Sequence, residues 1–159
     1  MALSKLDNLY RQVILDHSSH PHHHGSLTES SQHIEMNNPT CGDVIHLELN
    51  VVDDVIEQAA FSGSGCSIST ASASMMTDAI IGKTTDEATR LIATFSEMVQ
   101  GEHPEHTREL GDAAMLSGVA KFPARIKCAT LAWKALEKAL VHPEVGIGES
   151  GYIHNIEEE

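Results

Sequence analysis

Aromatic residues make up only 4% of this 159-residue chain: one tryptophan, two tyrosines and three phenylalanines. An interior so poor in rings must be filled by aliphatic side chains, alanine and methionine. Basic residues are scarce too. Ten lysines and arginines face 23 acids, a formal charge of −13, which argues against nucleic acid as the main partner. No apolar run approaches the ~20 residues of a membrane span. The stretch MALSKLDNLYRQVILDH lacks the uninterrupted apolar centre of a signal peptide. The expected setting is therefore the cytoplasm, without a membrane partner. There are three cysteines, an odd number, which in a reducing compartment points away from a disulfide framework and towards metal or sulfur chemistry. What is present is enough length for one domain with a real core, and an ordinary hydrophobic fraction of 41%.

The N-terminal stretch reads as an amphipathic helix from about Ser4, its N-cap, to His17, with Leu6, Leu9, Val13 and His17 on one face. The segment HSSHPHHHG, His17 to Gly25, reads as a solvated surface loop whose histidines (17, 20, 22, 23 and 24) bind transition metals only adventitiously. His33 to Met36 suits a short edge strand. Ile45, Leu47, Leu49 and Val51 alternate with His46, Glu48 and Asn50, the period of a half-buried strand. Asp53-Asp54 reverses the chain, and Val55 to Phe61 returns as the next strand. Thr84 and Glu87 form a capping-box pattern for a helix to about Gln100. Gly101 to Glu105 reads as a turn, and Glu105 to Leu116 as a helix broken by Ser117-Gly118. Pro123 suits the first turn of a last helix, with Ala129, Trp133, Leu136 and Leu140 on one face. Residues 1–142 form the expected domain, and 143–159 an acidic, flexible tail. The expected fold is α+β: a three-stranded, mainly antiparallel sheet with helices packed on one face.

The stretch Phe61 to Met76, FSGSGCSISTASASMM, joins a strand end to a glycine-rich turn and then to a helix that closes at Gly82. Cys66 falls at that helix N-terminus, where unpaired N–H groups and the macrodipole favour negative charge. Cys41 stands at the entrance of the hairpin and Cys66 at its exit, so antiparallel pairing brings them together. With Asp43 and Cys128 they are candidates for one four-ligand metal site of the kind zinc accepts. Arg125 and Lys127 flank Cys128 and would offset its charge, as would two helix N-termini aimed at the site. Other readings stay open on this ground: Cys128 as a core cysteine, Asp43 as a turn aspartate, and Arg125 and Lys127 as a solvated helix face. His103, His106 and His142 suit the surface better than a metal.

Three ordered motifs then carry a resemblance. Asn38-Pro39-Thr40-Cys41-Gly42-Asp43, Gly63-Ser64-Gly65-Cys66-Ser67-Ile68-Ser69 and Phe122-Pro123-Ala124-Arg125-Ile126-Lys127-Cys128 resemble the cysteine motifs of the IscU/SufU family of iron–sulfur biogenesis proteins, the last in its SufU form. Leu9-Tyr10-Arg11 to Asp16-His17, with Pro21 and Gly25, fits as well, so the likeness spans about residues 5 to 142. His22-His23 stand where the family usually has Arg-Asn. The resemblance implies a zinc-dependent sulfurtransferase with Cys41, Asp43, Cys66 and Cys128 as ligands. It would take persulfide sulfur from a PLP-dependent cysteine desulfurase of the SufS type and pass it towards a downstream SUF cluster scaffold. Cys41, on a Pro/Gly loop, would be the acceptor, and Arg125 would steady its freed thiolate. The alternative is a non-catalytic scaffold on which a [2Fe–2S] cluster is assembled on the same ligands. Lys127, where IscU members carry histidine, and the long interval between Cys66 and Cys128 favour the transferase.

Overall fold

Asp53 and Asp54 both lie in the left-handed region, at φ 52° and 70°, the conformation a two-residue hairpin turn needs to match the twist of its strands. They join β2 (Asp43–Val52) to β3 (Val55–Ser64), which pair antiparallel from Val52↔Val55 to Val44↔Ser64 with one irregularity at Asn50/Val51. β1 (Gln32–Asn38) adds antiparallel to the free side of β2, giving the order β1-β2-β3. This computed structural model describes residues 5–27, 32–38, 42–102, 104, 107–121 and 123–141. Ser4, the expected N-cap, and the expected tail 143–159 lie outside the described residues, as do His103, His106 and His142.

Alternation decides which face of the sheet is buried. Ile34, Met36, Ile45, Leu47, Leu49, Ile56 and Phe61 point into the core, while Glu35 and His46 pair across the exposed face at 3.6 Å. Helices cover the buried face: α1 (Lys5–Ser19), α2 (Ser67–Ile80), α3 (Thr85–Val99) and α4 (Pro123–Val141). α4 lies against β1 and β2, and α2 against β3, α1 and α4. The expected α+β architecture is the one found. Phe95 and Trp133 stack at 4.4 Å with planes 11° apart, so the few rings are spent at the α3–α4 contact. Each fully buried large apolar side chain contributes about 1.5–3 kcal/mol. Among the described residues no helix is long and apolar enough to cross a membrane.

α2 is the central helix. Ala71 through Thr77 are all buried; the small Ala71, Ser72, Ala73 and Ser74 let neighbours approach closely, and Met75 and Met76 fill the core beside them. α3 begins with the expected capping box: Thr84 Oγ1 accepts from Glu87 N at 3.1 Å, and Thr84 N donates to Glu87 Oε1 at 2.9 Å.

Two expectations need correction. The segment expected as a helix over 105–116, broken at Ser117-Gly118, is a 3-10 run over Thr107–Lys121 whose break sits at Gly111 (φ 62°, ψ −136°). Leu110, Ala113, Leu116 and Val119 are its buried residues; apolar groups every third position match three residues per turn. The histidine loop is not a solvated loop throughout. α1 runs on to Ser19, and His17 is 2% exposed, its ring packed between α2 and the 3-10 run.

Candidate metal centre

The hairpin register sets the site. Val44 pairs with Ser64, so Asp43 at the start of β2 lies beside the Gly65-Cys66 exit from β3. Gly63 has φ 129°, and a Cβ there would fall 2.1 Å from the Val44 carbonyl oxygen; only glycine lets β3 stay paired at this point. At Gly65 a Cβ would lie 2.9 Å from Asp43 Oδ1. That space lets the Cys66 backbone N–H reach the same oxygen at 3.0 Å.

Cys66 is the N-cap of α2, in extended conformation, with Sγ accepting from Ser69 N at 3.4 Å. It is partly exposed, whereas Cys128 is fully buried. Cys128 sits in the second turn of α4, beyond the first turn where a helix N-terminus acts most strongly. Of the two helix N-termini expected to face the site, only that of α2 is occupied by a candidate ligand. The positive charge near Cys128 comes instead from Arg125, one turn earlier and exposed. Its interactions with Cys128 first, and then with Cys66, hold its guanidinium above the usual value. Lys127 is exposed on the same helix.

One carboxylate oxygen of Asp43 and the sulfurs of Cys66 and Cys128 lie within 4.8 Å of one another. Three of the four expected ligands therefore converge. The fourth, Cys41, lies outside the described residues. The test of whether this group suits a cation is Asp43 itself. Asp43 is 1% exposed, and its Oδ2 has no hydrogen-bond partner among the described residues. A buried, half-satisfied carboxylate is costly unless paired or bound to a metal. Two sulfurs and a carboxylate oxygen are a donor set zinc accepts. A tetrahedral ion with bonds of about 2.0–2.3 Å asks for only a small contraction of the group. Asp43, read from sequence as a candidate ligand with a turn-aspartate role left open, is thus a buried carboxyl group. Its position opposite Gly65 was the available signal.

The chain is similar to known proteins along most of its length. The family model for the NifU-like N terminal domain matches residues 9–129. The iron–sulfur cluster assembly scaffold protein IscU of Streptococcus pyogenes serotype M1 is 59% identical over 140 residues, covering 88% of this chain and 87% of that one. The zinc-dependent sulfurtransferase SufU of Bacillus subtilis (strain 168) is 53% identical over 143 residues, covering 90% and 97%. The solved structure of FiSufU of Fervidobacterium islandicum AW-1, described as an iron–sulfur cluster assembly scaffold protein for the SUF system, superposes with a TM-score of 0.77 at 35% identity, covering 81% of this chain and 94% of that one.

Proposed function

This chain belongs to the NifU-like N-terminal domain family, that of the IscU and SufU proteins, and from that premise we propose that it is a zinc-dependent sulfurtransferase of iron–sulfur cluster assembly. Its sulfur donor would be a PLP-dependent cysteine desulfurase of the SufS type, its recipient a downstream SUF cluster scaffold, and its setting the cytoplasm. The observation that carries the reading is Asp43: a buried carboxylate with one unpartnered oxygen, beside the sulfurs of Cys66 and Cys128, with the Arg125 guanidinium held above its usual value by those two cysteines. Cys41, Asp43, Cys66 and Cys128 are the proposed zinc ligands. Bound zinc would keep the sulfurs as thiolates and shield them from oxidation.

The chain's own groups do the rest. Cys41 is the proposed acceptor: its thiolate attacks the terminal sulfur of the donor's cysteine persulfide. The bond between the donor's two sulfurs breaks, the donor cysteine leaves as thiolate, and Cys41 carries the added sulfur as a persulfide. No external oxidant or reductant is needed. Arg125 supplies fixed positive charge for the anionic sulfurs. Asp43, the hard donor among soft ones, is the ligand expected to exchange most readily.

A second reading is favoured by the scaffold IscU of S. pyogenes, whose identity of 59% exceeds that of the transferase relative. Thiolates hold iron–sulfur clusters as well as zinc. The test purifies the protein without oxygen, then incubates it with desulfurase and cysteine and maps added sulfur by mass spectrometry. Stoichiometric zinc, no visible absorption and persulfide on Cys41 support the transferase. Visible iron–sulfur bands with no sulfur on Cys41 overturn it in favour of the scaffold.

A further inference from the structure

We propose that His17, His22 and Asp78 form a second metal site, for a divalent first-row transition ion such as Zn²⁺, Co²⁺ or Ni²⁺, separate from the cysteine centre. One ligand atom of each residue lies within 4.8 Å of the others. Asp78 is near the end of α2, about 18 Å of helix from Cys66 at its start, so the two sites do not share ligands.

The group is built, not a chance meeting of mobile histidines. His17, 2% exposed, has its ring held from both sides, Nδ1 at 2.7 Å from Ser74 Oγ and Nε2 at 2.9 Å from Asp112 Oδ2. One nitrogen can turn to an ion while the other keeps its partner, the outer-shell support that metal-bound imidazoles normally have. His22 is fixed through its backbone, whose N–H donates to Ser74 Oγ at 2.8 Å. The following residues are clamped to β3: Phe61 N donates to His23 O at 3.1 Å, and Gly25 N to Phe61 O at 2.8 Å. The His22 ring then lies 4.5 Å from that of His17, with Nδ1 2.6 Å from Asp78 Oδ2. His23 Nδ1 approaches the other oxygen of Asp78 at 3.5 Å.

The charges suit a dication. Asp78 and Asp112 set two carboxylates beside the two imidazoles, 2.6 Å from His22 Nδ1 and 2.9 Å from His17 Nε2. One divalent ion balances both carboxylates. Two imidazoles and a carboxylate suit zinc, nickel, cobalt or iron rather than magnesium or calcium. Side chains of His22 and Asp78 are 44% and 36% exposed, so the site has an open side through which an ion enters and where water completes its shell. Binding would pin the end of α1 and the following turn to α2, with the 3-10 run held through Asp112.

The experiment titrates the metal-free full chain with Co²⁺ alone, reading total binding by equilibrium dialysis and thiolate binding by sulfur-to-cobalt charge-transfer absorption. Wild type should bind two equivalents, of which one gives no charge-transfer band. Asp78→Asn and His22→Gln, at half-exposed positions, should each weaken that silent equivalent by more than about 100-fold while leaving the thiolate band unchanged. Asp112→Asn, which acts through His17, should weaken it by about 10–100-fold. A His20→Gln/His24→Gln double variant should leave it intact. The proposal is overturned if wild type lacks a silent equivalent. It is equally overturned if that equivalent survives Asp78→Asn, or disappears in the His20/His24 variant, since either outcome describes a histidine run chelating without α2.

Discussion

The indole Nε1 of Trp133 donates to Ser72 Oγ at 3.1 Å, and the same hydroxyl donates to the Ala129 carbonyl at 2.5 Å. Both residues are buried, so one serine fixes how α4 lies along α2, and with it how near Cys128 comes to Cys66.

Ser72→Ala should therefore act twice. It leaves a buried indole N–H without an acceptor, at a cost of about 1–3 kcal/mol, which lowers the melting temperature by several degrees. It should also weaken zinc binding, because the helix carrying Cys128 is no longer held in place. Thermal unfolding and competition with a zinc chelator check the two effects. Normal affinity in a destabilised protein would show that α4 is positioned by apolar packing alone.

Gly65→Ala separates the site from the fold. The added methyl would meet Asp43 Oδ1 at 2.9 Å and Ser69 Oγ at 3.0 Å; the serine can rotate, but the carboxylate must leave the Cys66 N–H. Metal affinity should fall by tenfold or more, with a loss of stability of about 1–3 kcal/mol for the one buried hydrogen bond given up. Gly63→Ala meets backbone at 2.1 Å and should destabilise the hairpin itself. Gly118→Ala, with open space around it, should do neither. Affinity and melting temperature measured on all three variants decide it.

These sites also show what could be read from one sequence. The hairpin was legible because Ile45, Leu47 and Leu49 alternate locally and Asp53-Asp54 is strong turn chemistry. Cys66 was legible as a helix start because the glycines before it and the small residues after it are contiguous. The 3-10 run was missed although Leu110, Ala113, Leu116 and Val119 recur every third residue; a period of three is close enough to 3.6 to pass for an α-helix over so few turns. His17 was legible as the end of the apolar face of α1, where it is found buried, but its polar setting was not. Its partners Ser74 and Asp112 lie 57 and 95 residues away, and nothing local to HSSHPHHH announces them. The burial of Asp43 was only half visible: the hairpin sets it opposite Gly65, but a turn aspartate next to glycine ordinarily faces water.

The capping box makes a prediction in acid. The backbone N–H of Thr84, donating to the Glu87 carboxylate, holds its pKa below the ordinary value. A lowered folded value means the stabilisation is present above the unfolded pKa and is lost as pH falls through the folded one. Glu87→Gln keeps an acceptor for Thr84 but cannot titrate. Its melting temperature should fall less than that of wild type as pH drops below the ordinary carboxylate range. Parallel slopes in that window would show that the charge of Glu87 does not matter.

Arg125→Ala tests the role of the exposed guanidinium. No core contact is lost, so stability should change little. Sulfur transfer to Cys41 should slow by about 10²-fold, the usual loss when a fixed donor to developing negative charge is removed. Zinc content should stay near stoichiometric. Single-turnover persulfide formation, with zinc measured on the same sample, checks both. Loss of zinc in step with activity would make Arg125 a support for the metal site and nothing more.

The last prediction concerns Asp43 without its metal. Without a metal this carboxyl group is buried with one oxygen unpartnered, a state that costs stability. A metal held more tightly by the folded site than by the unfolded chain would add stability by mass action, about 2.7 kcal/mol at a hundredfold excess over the dissociation constant and more for tighter binding. A strong chelator should therefore lower the wild-type melting temperature by roughly ten degrees or more. Asp43→Asn removes the charge but keeps an oxygen to accept from Cys66 N. Its metal-free form should melt above metal-free wild type, because a neutral amide costs less to bury than an uncompensated carboxylate. Its zinc-loaded form should melt below zinc-loaded wild type, because one anionic ligand is gone. The two comparisons must have opposite signs. If Asp43→Asn is less stable than wild type in both states, the carboxylate serves the fold through its bond to Cys66 N, and its unpartnered oxygen is not there for a metal.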